Sequence, residues 1–327
     1  MIEAFVQRMP RDRRQKNGLF ESDSELLELN GQIWALTLDQ FSPEEDLFTS
    51  EDPEKLGANL VIATLSDLFA TGAKPEFFLQ GVTLPREDPL RFSEGLGRGI
   101  RRILGDVGCS LCGGDMGVAT NWRFSGFAMG SFPTGRPLSR VMPKGNVSLW
   151  VTGTMGDANW AALAESPTPS FELRLKESRV IAQKACACMD TSGGFLEAVW
   201  CFHLLNPEFR FDVSLDLVPL AVGVSKEAEK RGVPWESFLL GGAGEYELFF
   251  ALSEPVSSET REAMKAVGAV FVGVAQPNAE NAGVFLRSDG NRVCRMESGP
   301  PCPREMGERE AYVKKVIEMA KQLRGKK

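Results

Sequence analysis

The chain has 327 residues, of which 43% are hydrophobic and 25% charged, the composition of a globular protein long enough for two cores. A net charge of −7 argues against a nucleic-acid-binding surface, and no apolar run reaches membrane-spanning length. The charged N-terminal stretch MIEAFVQRMPRDRRQKNG has no secretory h-region, and seven cysteines, an odd number, suit reduced thiols, so a cytoplasmic location is expected.

In chain order, ELLEL (25–29) and IWALTLD (33–39) alternate as strands do. LVIATLSDLFATGAKPEF (60–77) reads as a helix ended by Gly72 and Pro75, with Leu60, Ala63, Thr64, Asp67 and Thr71 on one stripe. It is apolar nearly all round and therefore buried, which makes Asp67 costly unless it is paired, hydrogen-bonded or on a metal. PEFFLQGVTLP (75–85) is a strand, DPLRFSEGLGRGIRRILGDVG (88–108) a helix, CSLCGGD (109–115) a short strand into a tight glycine turn, and RFSGFAMGSF (123–132) a strand. This order predicts an α+β layer with helices on one face. TGRPLSRVMPKGN (134–146) marks a boundary between domains at 1–137 and 138–327. The second half opens with the strand VSLWVTG and the helix beginning GDANWAALAE. ACACMDTSGG (185–194) is a strand into a glycine turn, and YELFFALS and AVFVGVA are strands. GEREAYVKKVIEMAKQL is an amphipathic helix with Tyr312, Val316, Ala320 and Leu323 in line.

Aspartates recur at element ends: Asp23 before the first strand, Asp39 closing ALTLD, Asp115 closing LCGGD and Asp190 closing CACMD. Either they cap turns, or they converge with Asp67 into an oxygen-rich site for a hard cation such as Mg²⁺ shared with phosphate; spacing leaves both open. The CxxC of Cys109 and Cys112 and the CxC of Cys186 and Cys188 offer four thiolates for zinc, but their apolar surroundings favour small buried hydrophobes. The single histidine, His203, lies in a helical apolar stretch and reads as a partly buried structural residue.

Five stretches, LSDLFATGAKPEFFLQGVTLP, LCGGDMG, MDTSGG, LLGGAGEYELFF and SRVMPKGNVSLWVTGTMGDA, resemble the motifs of the thiamine-monophosphate kinase family in the same order across roughly residues 18–285. The resemblance places the chain in the wider aminoimidazole ribonucleotide synthase-like superfamily. It implies a two-domain fold, an N-terminal mixed sheet forming a barrel across a homodimer and a C-terminal α/β sandwich domain. It implies phosphoryl transfer from ATP to thiamine phosphate, with Mg²⁺ as cofactor, ATP and a small phosphorylated acceptor as partners, and no nucleic acid or membrane. Asp23, Asp39, Asp67, Asp115 and Asp190 would hold Mg²⁺, with Asp67, Asp115 and Arg140 carrying the chemistry. Thr37 would stand beside Asp39, Gly113 and Gly114 would let the backbone approach the nucleotide, and Arg140 and Ser192 would contact ATP. Glu245 would bind substrate.

The departures are equally specific. The family's G-x-G-D-D-A-A reads LFESDSELL, keeping only Asp23; Gly193 replaces the second aspartate of D-x-S-D-G; and Asn146 replaces the aspartate that opens the second domain. DQFSPEEDLF lacks the acceptor-side histidine, and the aromatic C-terminal ending has no match. Residues expected at the metal and nucleotide mostly survive, and those near the acceptor mostly do not. That pattern fits a divergent kinase, a paralogue with another acceptor, or a non-catalytic nucleotide-binding dimer.

Overall fold

The computed structural model describes residues 9–46, 52–133, 136–288 and 292–324, with Val6 and Gly290 as single positions. Residues 1–5, 7 and 8 of the N-terminal stretch read for a leader, and Thr134 and Gly135 of the linker, lie outside them. The first strands are β1 (Glu25–Leu29) and β2 (Gln32–Phe41), followed by helix α1 (Pro53–Thr71), β3 (Lys74–Pro85), α2 (Pro89–Val107), β4 (Ser110–Ala119) and β5 (Arg123–Ser131). These five strands form one open sheet ordered β1-β2-β5-β3-β4. Then come β6 (Val147–Val151), α3 (Asp157–Ala164), α4 (Leu175–Lys184), β7 (Ala187–Asp190), α5 (Phe195–Leu205) and β8 (Phe209–Ser214). They are followed by α6 (Val224–Arg231), α7 (Ser237–Leu240), β9 (Leu248–Ser253), α8 (Ser258–Ala266), β10 (Val270–Pro277), β11 (Gly283–Ser288), β12 (Arg292–Met296), α9 (Pro303–Met306) and α10 (Arg309–Leu323). Their strands make a seven-stranded mixed sheet ordered β12-β11-β8-β10-β6-β9-β7. Among the described residues no helix is long and apolar enough to cross a membrane.

Local chemistry sets the helix ends. Asp52 accepts a hydrogen bond from Glu54 N and Pro53 starts α1, while Gly72 (φ 77°) caps it. Asp88 and Gly108 (φ 71°) bound α2 in the same way. Helix α1 packs on β2 and β5 of the first sheet, on α2 beside it, and on β7 of the second sheet. It is therefore covered from several directions, which is why its sequence is apolar nearly all round. The core continues through β9, whose Leu248, Phe250 and Leu252 share the cluster around α1 while Phe249 and Ala251 face the second core. The stripe Tyr312, Val316, Ala320 and Leu323 of α10 is buried in that second core.

One expectation is corrected. CSLCGGD does not end in a glycine turn: β4 runs straight through Gly113 and Gly114 to Ala119, parallel to β3. Glycine serves close approach there, since a Cβ on Gly114 would lie 2.1 Å from the Gln80 carbonyl oxygen. A bulge leaves Cys112 without a partner, so Asp115 pairs with Gly81 rather than Val82.

Candidate metal centre in the cleft between the sheets

Of Leu56–Thr71 only Asp67 is not fully buried, because it lines a cavity of about 340 Å³ between the two sheets. Each element delivers its acid for a local reason. Strand alternation puts Ala35, Thr37 and Phe41 on the face of β2 turned to α1, and Asp39 shares that parity. Its register partner is Gly126, where any Cβ would collide with Thr64 of α1, so α1 lies close over this row. The Thr37 hydroxyl donates to Asp67 Oδ2. Asp190 ends β7, and its Oδ1 accepts from Ser192 N (3.1 Å) and Ser192 Oγ (2.7 Å), an Asx turn into α5. Asp23 is fixed by Arg140, whose Nε donates to Oδ1 at 2.9 Å, while Arg140 N donates to Glu21 O at 2.7 Å.

One ligand atom from each of Asp23, Asp67 and Asp190 lies within 4.8 Å of the others. Asp23 Oδ2 and Asp190 Oδ2 are buried and have no hydrogen-bond partner among the described residues. Burial pushes the Asp23 carboxyl up to about 7 against the pull of Arg140, and burial together with the Asp190 charge lifts Asp39 to about 7. Asp67 is driven well above the usual carboxylate range by burial first, then by Asp39, Asp190 and Asp23. Converging carboxylates held mainly by one guanidinium, with two oxygens lacking donors, make a donor set that fits a hard divalent cation.

The cavity wall therefore contains Asp39, Asp67, Arg140 and Ser192. Gly113, Gly114, Asp115 and Glu245 stand elsewhere. β4 is the far edge of the first sheet, three places from β2, and the register of Asp115 with Gly81 turns it to the face away from α1. Glu245 is buried behind the cavity, where its Oε1 accepts from Gly156 N at 2.7 Å and Oε2 from Ala158 N at 3.4 Å, tying down the start of α3. Burial and a hydrogen bond with Asp157 hold its carboxyl far above the usual range. Its carboxylate is buried and turned to the backbone that opens α3.

The cysteine pairs do not assemble. Cys109 is buried and Cys112 exposed, and the grouping of potential metal ligands found among the described residues consists of aspartates. His203 packs between Trp200 and Phe211, in keeping with a structural role.

Three cavity residues escape the motif reading. Glu197 fills the space before Gly193: a Cβ there would lie 2.6 Å from Glu197 Oε2, so the position lacking a carboxylate is occupied by one from the next helical turn. A lone acid in the apolar run FLEAVWCF is the same signal that exposes Asp67. Tyr246 adopts φ 54° and packs its ring on Phe171 at 4.6 Å, a strained backbone at the cavity edge. Arg304 reaches Asp46, 258 residues earlier in the chain, and no local pattern announces that.

Comparison with known proteins places this architecture. Residues 21–132 match the family described as AIR synthase related protein, N-terminal domain. A thiamine-monophosphate kinase of Archaeoglobus fulgidus is 26% identical over 244 residues, 70% of this chain and 76% of that protein. The Escherichia coli enzyme of that name is 24% identical over 283 residues, 80% and 84% of the two chains. Among solved structures, AaThiL complexed with AMPPCP and TMP superposes with a TM-score of 0.70 at 19% identity, covering 90% of this chain and 94% of that one. Escherichia coli HypE, a hydrogenase maturation protein, gives 0.69 at 19% identity, covering 83% and 87%, so this fold serves more than one function. By sequence the chain is similar to thiamine-monophosphate kinases at low identity, its residues 21–132 match the AIR synthase related N-terminal domain, and its fold is the one those kinases and HypE share.

Proposed function

We propose that the protein is an ATP- and Mg²⁺-dependent phosphotransferase that converts thiamine monophosphate and ATP to thiamine diphosphate and ADP. The observation that carries this reading is the convergence of Asp23, Asp67 and Asp190 with two buried carboxylate oxygens left without donors. Asp23, Asp67 and Asp190 would hold Mg²⁺ with Asp39 beside them, and the bound metal supplies charge neutralisation for phosphate oxygens. The chain's own groups do the rest. Thr37 orients Asp67, Ser192 orients Asp190, and Arg140, on the cavity wall, fixes the buried Asp23 behind it. The acceptor oxygen of a phosphate monoester is already ionised, so in-line transfer needs positioning and charge more than a general base. A cavity whose lining holds no histidine suffices for that.

The outer face of the first sheet supports a homodimer. Leu38 (66% exposed), Phe77 (42%) and Leu79 (39%) form an apolar surface without cover. Pairing of two such faces would bring β4, with Gly113, Gly114 and Asp115, toward a second copy. On this reading residues 1–137 form the metal-binding and dimerising unit, residues 138–327 complete the site, and the enzyme works in the cytoplasm.

The test is titration calorimetry with Mg-AMPPCP, with and without thiamine monophosphate, followed by a turnover assay with ATP. Metal-dependent nucleotide binding strengthened by thiamine monophosphate, with diphosphate formed, is the expected result. Nucleotide binding indifferent to that acceptor points to another phosphorylated acceptor, as the altered DQFSPEEDLF segment favours. Absence of nucleotide binding refutes the enzyme reading.

A further inference from the structure

Acids dominate the charged groups of the cavity wall, with Asp39, Glu45, Asp46, Asp67 and Glu197 all on its surface. A phosphorylated molecule entering it meets repulsion wherever no cation stands. Two guanidinium groups line the wall, Arg140 and Arg304. Arg140 is committed to Asp23 and its side chain is only 17% exposed. Arg304 stands on the Asp39 side of the cluster and is 49% exposed. It crosses from the C-terminal part of the chain to the first sheet: Nε donates to Asp46 Oδ1 at 2.9 Å, and Nη2 donates to Asp46 Oδ1 at 2.5 Å and to Gln40 O at 2.7 Å. Its position is set by the preceding Pro303, which packs so closely on Gly242 that a Cβ there would lie 2.9 Å from Pro303 Cδ.

We propose that Arg304 is the residue that takes the anionic group of the acceptor, and that Asp46 holds its guanidinium in place until that group arrives. This rests on the phosphotransferase reading above. Transfer between two phosphates needs positive charge on both sides of the metal cluster, and Arg140 and Arg304 flank it on the Asp23 and Asp39 sides. A phosphate presents the guanidinium with the same oxygen geometry as a carboxylate, but more charge, so it displaces a single Asp46 oxygen. Asp46 keeps its other oxygen on Ser42 N at 2.8 Å, so the turn survives the exchange.

The experiment compares the full-length wild type with Arg304→Gln, Asp46→Asn and the double variant. Calorimetry follows thiamine monophosphate in the presence of Mg-AMPPCP, and Mg-AMPPCP alone. Arg304→Gln should weaken thiamine monophosphate at least tenfold and leave Mg-AMPPCP unchanged. Asp46→Asn should strengthen thiamine monophosphate binding, and the double variant should lose that gain. If Arg304 were only a strut between the sheets, both single variants would weaken binding together, which overturns the proposal. Loss of Mg-AMPPCP binding in Arg304→Gln also overturns it, assigning the residue to the nucleotide. Should the wild type bind neither compound, the phosphotransferase reading fails by itself, and titration with inorganic phosphate decides the rest. Phosphate binding that disappears in Arg304→Gln retains the anion site, and phosphate binding indifferent to the change, or absent, removes it.

Discussion

Replacing Asp67 with asparagine should make the metal-free protein more stable while removing its response to Mg²⁺. One ligand oxygen of Asp67 lies within 4.8 Å of those of Asp23 and Asp190. Two unit charges at that separation repel by about 3 kcal/mol at an effective dielectric constant of about 20. Arg140 compensates Asp23, which leaves Asp39 and Asp190 as the main unrelieved neighbours. Asparagine keeps the size and an acceptor oxygen for the Thr37 hydroxyl, so a gain of about 2–3 kcal/mol in chelator at pH about 8 is expected, a rise of several degrees in Tm. With Mg²⁺ present the order reverses, because loss of one charged ligand weakens the ion by roughly 100-fold or more. Thermal unfolding with EDTA and with Mg²⁺ reads both signs on one sample. A variant less stable than wild type in EDTA, or one that keeps the full Mg²⁺ stabilisation, would show that Asp67 is packed by hydrogen bonds and not held for a metal.

Three further outcomes follow from the same geometry. Asp23 and Asp39 are both lifted by burial to about 7, above the usual 3.8, so their neutral forms favour the fold. That stability is fully present below about pH 3.8 and is lost as pH rises through about 7. The increase in Tm on adding Mg²⁺ should therefore be small near pH about 5.5 and large near pH about 8, and an increment flat with pH would contradict it. Gly99→Ala should destabilise the protein by about 2–3 kcal/mol, because its Cβ would lie 2.0 Å from Glu54 O and 2.7 Å from Ala58 N where α2 crosses α1. Gly97→Ala on the same helix, with nothing within 4 Å, should instead stabilise it by about 0.5–1 kcal/mol, and urea unfolding of the pair gives the contrast. Leu38→Asp, on the uncovered face of the first sheet, should yield a monomer by light scattering without lowering Tm below that of a monomeric wild type; an unchanged dimer would place the interface elsewhere.

The sequence by itself determined the local features. The α1 and α2 boundaries follow from Asp–Pro starts and left-handed glycines, and β2, β3 and β5 follow from alternation, because caps and pleats depend on residues within a few positions of each other. The buried acid in an apolar helix was legible at Asp67 for the same reason, and the same signal at Glu197 stood in plain view within FLEAVW. What only the tertiary structure decided depends on pairing distant segments. A single bulge at Cys112 turns Asp115 away from the cluster, which no count of spacing along LCGGD reveals. Glu245 lies in a motif-like segment, but backbone N–H groups of Gly156 and Ala158 capture it as an anchor. Arg304 meets Asp46 across 258 residues, because the end of the chain folds back onto the end of β2 and the turn that follows it. Local sequence sets which side chains an element offers and on which face; the register and order of the strands decide which of those faces meet.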